Sequence, residues 1–315
     1  MAVFESVASI LMMIGIGVFM AWKLDFRETN SAGMVSLVTN ITLPAYMISN
    51  ICMNYDRATL IAMAPGLVVP FVSISLCCTL GFAVAWLISV PRQRRGTFCS
   101  MFSLSNTIFI GLPVNTMLFG PDSIPFVLLF YIGNTTLFWT IGTYFINLDG
   151  DRPAQRILSA ANLKRIFSPP LYMFLFAVVL VLLELRPPLM ILNLCKTVGS
   201  MTTPLSMIFI GITLYAVNWR AIRPDLTMGA LLVARFVIAP LIVVGFCRYL
   251  PMPLLMKKVF VIQAGMPIMT LTAVIAKACG ADHHFAAVQT SVSTVVCLAT
   301  IPAWMIVMSH FNIFG

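Results

Sequence analysis

Two short segments combine residue types that could bind a small ligand within an otherwise apolar chain. The first is Ser105 to Pro113, in which the amide of Asn106 precedes a glycine and a proline. The second is Gln263 to Pro267, which has an amide, a glycine and a proline in the same order. Proline lacks an amide donor and interrupts a helix, whereas glycine tolerates unusual backbone geometry. Each segment therefore predicts a broken helix beside a side-chain amide, although each taken alone also fits a simple kink.

The charged residues inside the apolar stretches are few, and Arg235 is the deepest of them. It lies about ten residues into its stretch, which corresponds to roughly 15 Å along a helix axis. A basic group at that depth is costly and is by default a functional candidate. It could offset an anionic substrate, pair internally or extend toward the cytoplasmic face. No acidic residue falls at the centre of a stretch, so a carboxylate proton relay is not indicated.

The composition places these segments in a membrane protein. Apolar residues make up 60% and charged residues 9% of 315 residues, against roughly 45–50% and 25% in soluble domains. A membrane-spanning helix needs about 20 apolar residues. We therefore predict an all-α integral membrane protein with about ten transmembrane helices. They begin near Phe4, Ser31, Ile61, Thr97, Asp122, Phe167, Met190, Leu226, Leu255 and Phe285.

The two halves of the chain are predicted to repeat. The starts of corresponding spans differ by 163, 159, 165, 158 and 163 residues, and Pro44 and Pro204 occupy similar surroundings in spans two and seven. Five spans per repeat is an odd number, so the second copy must insert upside down. We predict a first repeat at residues 1–147, a basic cytoplasmic loop at 148–166 and a second repeat at 167–315, with broken fourth and ninth helices that cross.

The distribution of basic residues predicts the orientation. The loops after odd-numbered spans contain Lys23, Arg27, Arg92, Arg94, Arg95, Arg152, Arg156, Lys164, Arg165, Arg220, Arg223 and Lys277. The opposite side contains only Arg57, Arg186, Arg248, Lys257 and Lys258. Basic loops remain in the cytoplasm, so we expect a multi-pass protein of the cytoplasmic membrane with both termini outside.

The chain resembles the auxin efflux carrier family along its whole length. The family pattern of the fourth span is matched by Asn106 to Pro113, except that Ile108 replaces the usual first glycine. That replacement puts the local backbone geometry in question. The small residues and Met-Pro pair of the ninth span are matched by Ala264 to Pro267. Further matches are Asn134, Trp139 and Gly142 in span five, Arg235 before Pro240 in span eight, and Ser293 to Trp304 in span ten.

The resemblance implies two inverted five-helix repeats whose fourth and ninth spans cross at unwound prolines near the bilayer centre. It implies a substrate near that crossing, a dimerising scaffold of spans one, two, six and seven, and elevator-like movement of the other spans. The family includes bacterial carboxylate carriers such as malonate carriers. The candidate substrate-binding residues are Asn106, Thr107, Gly111, Pro113, Asn134, Gln263, Gly265, Met266, Pro267 and Arg235.

These features favour a secondary transporter for a small organic anion, such as a carboxylate. Helix N-termini and neutral amides favour negative charge, and a bound cation would find no central acid. A channel or a ligand-sensing receptor of the same fold is an alternative. An intramembrane enzyme is less favoured, because His283, His284 and His310 all fall near span ends. We expect no cofactor, metal or nucleic acid. Lipids and a homodimeric partner are expected, and coupling to protons or sodium stays open.

Overall fold

The described residues form an all-helical structure. A computed structural model describes residues 2–24, 28–150, 168–217, 222 and 224–310. Helix makes up 86% of the structure, and the described residues form no β-strand. The predicted all-α class is confirmed. The predicted basic loop lies outside the described residues from position 151 onward.

One compact unit combines Met1–Gly66, Leu112–Leu128 and Phe167–Val217. Its helices are α1 (Ala2–Lys23), α2 (Glu28–Leu37), α3 (Leu43–Asn54), α4 (Arg57–Met63), α7 (Leu112–Phe119), α10 (Pro169–Leu182), α11 (Leu189–Ser200) and α12 (Thr202–Tyr215). α1 packs along α12, and α3 packs against α10 and α11. Gly17 of α1 lies so close to the Ile208 carbonyl of α12 that a Cβ atom there would collide with it. Small residues at helix contacts allow this close approach in lipid.

A second compact unit combines Leu67–Gly111, Leu129–Ile166 and Asn218–Gly315. Its helices are α5 (Val68–Leu87), α6 (Arg92–Ser103), most of α8 (Ile124–Leu137), α9 (Thr143–Asp149), α13 (Leu226–Val233), α14 (Ala239–Tyr249), α15 (Leu254–Ala264), α16 (Leu271–Cys279) and α17 (His283–His310). Within this unit α5 packs against α6 and α14, and α6 packs against α9. Both candidate amides, Asn106 and Gln263, belong to it.

Six of the described helical stretches are long and apolar enough to cross a membrane. They are Gly33–Asn54, Arg57–Leu87, Pro121–Asp149, Leu189–Tyr215, Leu226–Tyr249 and His283–His310. Shorter apolar helices cover Ala8–Lys23, Thr107–Phe119 and Pro169–Leu182. Predicted spans four and nine are not among these six stretches, because span four is interrupted after α6 and span nine after α15. A multi-pass membrane protein is thus supported, while the count of ten and the inverted repeat stay predictions.

Three prolines each follow a π-helical turn inside a continuous helical stretch. Pro44, Pro113 and Pro240 each occupy the second position of an α-helix that follows a five-residue π-helical turn. The three turns are Val38–Thr42, Thr107–Gly111 and Ala234–Ile238. A π turn bonds each amide to the carbonyl five residues back, as Gly111 does to Asn106 at 3.0 Å. The wider turn moves carbonyls away from the proline ring, which would otherwise clash with the preceding turn.

A salt bridge joins the start of α6 to the start of α17 in the second unit. Arg94 contacts the Asp282 carboxylate through Nε at 2.8 Å and Nη2 at 2.7 Å. The other carboxylate oxygen accepts the Phe285 amide at 2.9 Å and caps α17. Partial burial by itself raises the pKa of Asp282, but the Phe285 amide and the Arg94 guanidinium outweigh it, so that the pKa lies below its ordinary value.

We expect Asp282→Ala to lower the free energy of unfolding by about 1–2 kcal/mol, since it removes both the helix cap and a partly exposed ion pair. Asp282→Asn should cost less than about 1 kcal/mol, because asparagine caps equally well. A depressed pKa stabilises above the unfolded-state pKa of about 3.9, and that contribution disappears as the pH falls through the folded-state pKa. Denaturation of both variants and the wild type from pH 7 to pH 3 measures this. Equal pH profiles for the wild type and Asp282→Asn would contradict it.

Candidate functional site

The first helix break lies upstream of the position that the sequence indicates. α6 ends at Ser103, Leu104–Asn106 leave helical geometry, and helix resumes with the π turn at Thr107. The break was expected at Pro113, and this expectation is wrong. Pro113 is the second residue of α7, where the preceding π turn accommodates its ring. Pro113 therefore shapes the continuing helix and does not itself form the break.

The second break falls where it was predicted. α15 ends at Ala264, and helix resumes at Leu271. Gly265 is the C-terminal cap of α15 with ordinary negative φ, and Pro267 lies inside the non-helical segment. Proline suits this segment because its ring fixes an extended backbone and it needs no hydrogen-bond acceptor for an amide.

The two breaks pair with each other within the second unit. Ser105 and Ile268 form an isolated antiparallel bridge. The backbone amide of Asn106 donates to the Pro267 carbonyl at 2.8 Å. Unpaired backbone polar groups are expensive at membrane depth, so each interrupted helix supplies partners that the other needs. The sequence predicts a crossing of broken helices, and the structure shows how the two backbones satisfy each other there.

Side chains from neighbouring helices hold both breaks. Asn134 of α8, which has no exposed surface, accepts the Ser105 amide at 3.0 Å and donates to the Ser105 carbonyl at 2.9 Å. Ser293 of α17 accepts the Ile268 amide at 3.1 Å. Asn134 was a substrate-binding candidate, and its polar atoms bind backbone instead. It therefore positions the break, and direct substrate contact by Asn134 stays a prediction.

Asn106 joins the two helices that resume after the breaks. Its Nδ2 donates to the Thr270 hydroxyl at 2.6 Å, and its Oδ1 accepts the Phe109 amide at 3.2 Å. Thr270 immediately precedes α16 and is partly exposed. Thr270 is not among the candidates that the sequence indicates, and its side chain makes no hydrogen bond that caps α16.

Gln263 lies against Gly111 in the core of the second unit. Its Nε2 donates to the Thr107 carbonyl at 3.2 Å. Its Oε1 is buried and has no hydrogen-bond partner among the described residues. A Cβ atom on Gly111 would collide with Oε1. Gly111 was expected to release the backbone from helical geometry, yet it ends the π turn and its lack of a side chain makes room for Gln263.

Arg235 is fully buried and pairs internally. Its Nη2 donates to the carbonyls of Ala264 at 2.7 Å and Met266 at 3.0 Å. Its Nη1 donates to the Phe102 carbonyl at 3.3 Å. Extension toward the cytoplasmic face is excluded, because the residue is 0% exposed. Of the three roles that the sequence left open, internal pairing is observed. Met266 contributes its backbone, and contact of either residue with substrate stays a prediction.

The paired breaks thus have a polarised arrangement. The C-terminal ends of α6 and α15 carry partial negative charge, which the guanidinium of Arg235 contacts. The N-terminal ends at Thr107 and Leu271 carry partial positive charge. A helix end corresponds to roughly half an elementary charge. The side-chain amides of Asn106 and Gln263 accompany the positive ends, where their nitrogens donate to the Thr270 hydroxyl and the Thr107 carbonyl.

Comparison with known proteins identifies the class of molecule that uses this arrangement. The family model described as membrane transport protein matches residues 2–305. The chain belongs to the auxin efflux carrier family. It is therefore a multi-pass membrane transporter and not an enzyme.

Two archaeal members of the auxin efflux carrier family are similar to the chain over nearly its full length. An uncharacterized transporter of Methanothermobacter thermautotrophicus is 25% identical over 312 residues, which cover 96% of this chain and 98% of the relative. An uncharacterized transporter of Methanocaldococcus jannaschii is 22% identical over 310 residues, which cover 95% and 97%. Both names support transport, and neither states a substrate.

Proposed function

We propose that this carrier moves a small organic anion, a mono- or dicarboxylate, across the cytoplasmic membrane by alternating access. The paired breaks at Ser105 and Ile268 carry this proposal. In many secondary transporters, matched interrupted helices form the substrate site, and the N-terminal ends of the half-helices face anionic groups. The amides of Asn106 and Gln263 lie beside such ends in this chain.

The charge distribution favours an anion over a cation. Residues 104–106 and 265–270 include no acidic side chain. The carbonyl ends of α6 and α15 are already occupied by Arg235. The positive N-terminal ends and the lack of acidic side chains in these two segments support an anionic ligand. Each such interaction contributes about 0.3–1 kcal/mol, rising to about 2 kcal/mol when partly buried, which suits a carrier that must also release its substrate.

One contact supports the inverted repeat that this mechanism requires. In the first unit Thr202 donates to Thr42, 160 residues away, at 3.0 Å. The same separation relates Pro204 to Pro44 in spans seven and two. Equivalent residues of two copies meet where a two-fold axis passes between them, so this pair fits repeats at residues 1–147 and 167–315.

The division into compact units supports elevator-like transport. The helices of predicted spans one, two, six and seven fall in the first unit, and the paired breaks fall in the second. We propose that the second unit carries the substrate across the membrane and that the first unit forms the scaffold of a homodimer. Cross-linking of the purified protein in lipid, with cysteines introduced in α1 and α12, tests the dimer.

A purified-protein binding screen tests the substrate class. Malonate, malate, lactate and an indole carboxylate are each expected to raise the melting temperature of the wild type, whereas amines of similar size are not. Asn106→Ala should lose the carboxylate response while it remains folded. Asn193→Ala, at an exposed position in α11 of the other unit, is the control and should keep the response. A melting shift with amines alone would overturn the anion assignment.

The orientation follows from the loop charges and is tested with reporter fusions. The loops after odd-numbered spans contain twelve basic residues, and the opposite side contains five. A reporter fused within the loop at position 151 is expected to read cytoplasmic, and one fused at position 315 external. A cytoplasmic reading at position 315 would contradict an odd number of spans per repeat.

A further inference from the structure

The C-terminal ends of two helices meet one buried guanidinium. The last carbonyls of a helix have no partner within it. α6 and α15 both leave such carbonyls at the paired breaks, where Phe102, Ala264 and Met266 are buried. Arg235 donates to Phe102 near the end of α6, to Ala264 at the end of α15, and to Met266 in the break. One side chain therefore satisfies carbonyls from both interrupted helices.

The charges of this cluster balance. Two helix C-terminal ends together correspond to about one negative elementary charge, and the guanidinium carries one positive charge. No carboxylate of the described residues forms an ion pair with Arg235, since all its described hydrogen bonds go to backbone carbonyls. The side chain is planar with five donors, which suits several carbonyls at fixed positions. The hydrogen bonds of Arg235 therefore show that the C-terminal ends of α6 and α15 balance its positive charge.

Carbonyls at the ends of interrupted helices are the ligands that coupling cations use in many secondary transporters. We propose that Arg235 is a built-in cation at the paired breaks, which occupies the carbonyl oxygens that a coupling sodium ion would need. Arg235 is thus a positioning residue. It keeps the two C-terminal ends together, and the N-terminal ends are where we propose that the substrate binds. It follows that substrate binding needs no metal cation. This consequence rests on the proposed carboxylate transport.

The first test needs no substrate. Arg235→Ala removes the cation but leaves a space of matching shape, so free guanidinium ion can take its place. We expect 10 mM guanidinium chloride to raise the melting temperature of Arg235→Ala by about 3 °C relative to choline chloride. The wild type and Arg248→Ala, which changes an exposed arginine of α14, should show no increase. An equal change of melting temperature in Arg235→Ala and Arg248→Ala would overturn the proposal that Arg235 is a built-in cation.

A second variant covers the outcome in which Arg235→Ala does not fold. Arg235→Lys keeps the charge but loses the planar set of donors, so it should fold with a melting temperature below that of the wild type. Purification of Arg235→Ala in guanidinium, followed by its removal, should then cause unfolding that added guanidinium reverses. If Arg235→Lys folds like the wild type and guanidinium fails to recover Arg235→Ala, the inference is wrong.

The final measurement separates this inference from the proposed substrate. Malonate binding to the wild type should have the same affinity in sodium and in choline buffers, and it should weaken at least about tenfold in Arg235→Ala with partial recovery by guanidinium. A strict sodium requirement in the wild type would overturn the inference. If the wild type binds no carboxylate in either buffer, the proposed substrate fails, while the guanidinium effect on melting still decides the role of Arg235.

Discussion

Replacing Gly111 with alanine is expected to abolish transport and to destabilise the second unit. The new methyl group would collide with Oε1 of Gln263, a residue with no exposed surface. Overpacking a buried site costs roughly 1–3 kcal/mol. Since Gln263 also binds the Thr107 carbonyl at the start of the π turn, its displacement would disturb the N-terminal end that we propose attracts the substrate. Uptake should fall at least about tenfold.

Two further variants define the cause of this loss. Gly245→Ala is the matched control, because nothing lies within 4 Å of a Cβ atom at that position of α14; it should transport normally. The double variant Gly111→Ala/Gln263→Ala removes the collision, so its free energy of unfolding should exceed that of Gly111→Ala. Transport should stay low, since the amide is gone. If the double variant is no more stable than Gly111→Ala, the collision is not the cause.

Replacing Asn134 with leucine is expected to have the largest effect on stability. The Asn134 side chain accepts the Ser105 amide and donates to the Ser105 carbonyl, which also accepts the Thr107 amide at 3.0 Å. Leucine of similar size leaves the buried Ser105 amide unpaired, at about 1–3 kcal/mol, and removes one of the two donors to the carbonyl, at about 1 kcal/mol. We expect the free energy of unfolding to fall by roughly 2–4 kcal/mol and transport to disappear. Reversible unfolding in lipid or detergent measures the first, and vesicle uptake measures the second.

Asn147→Leu provides the control for this variant. Asn147 is also a buried asparagine, but among the described residues its Nδ2 donates to the Thr143 carbonyl of its own helix, at 2.8 Å. That carbonyl belongs to a helical turn, so the substitution should cost less than about 1 kcal/mol. Similar losses in Asn134→Leu and Asn147→Leu would indicate a general penalty for replacing buried asparagine and would remove the special role of the Ser105 contact.

The sequence predicts the two interrupted helices because proline, glycine and amide residues recur in matching order. Their break points are harder to predict. The three prolines at Pro44, Pro113 and Pro240 suggest breaks, but π turns accommodate them. The first break instead occupies Leu104–Asn106, which lack any local breaker. This break is held by an extended segment near Ile268 and by the side chain of Asn134. Both are distant in sequence, so local residue preferences do not indicate them.

Side-chain roles at the site follow the same pattern. Residue type correctly indicates that Asn106 and Gln263 are buried amides near the breaks. It cannot indicate that Asn106 bonds Thr270, because the two residues are 164 positions apart. Arg235 is recognisable from its depth, yet its carbonyl partners depend on how α6, α13 and α15 end. Tertiary contacts with distant residues therefore decide the roles that composition leaves open.

The most direct measurement of the central claim is carboxylate uptake into proteoliposomes with an imposed membrane potential. The wild type is expected to accumulate labelled malonate or lactate saturably and to ignore amines. Asn106→Ala also loses the bonds to Thr270 and the Phe109 amide, so it should melt below the wild type. It should remain folded at the assay temperature and lose this uptake at least about tenfold, whereas Asn193→Ala should retain it. Saturable transport of a cation, or carboxylate uptake unchanged in folded Asn106→Ala, would contradict a carboxylate carrier with its site at the paired breaks.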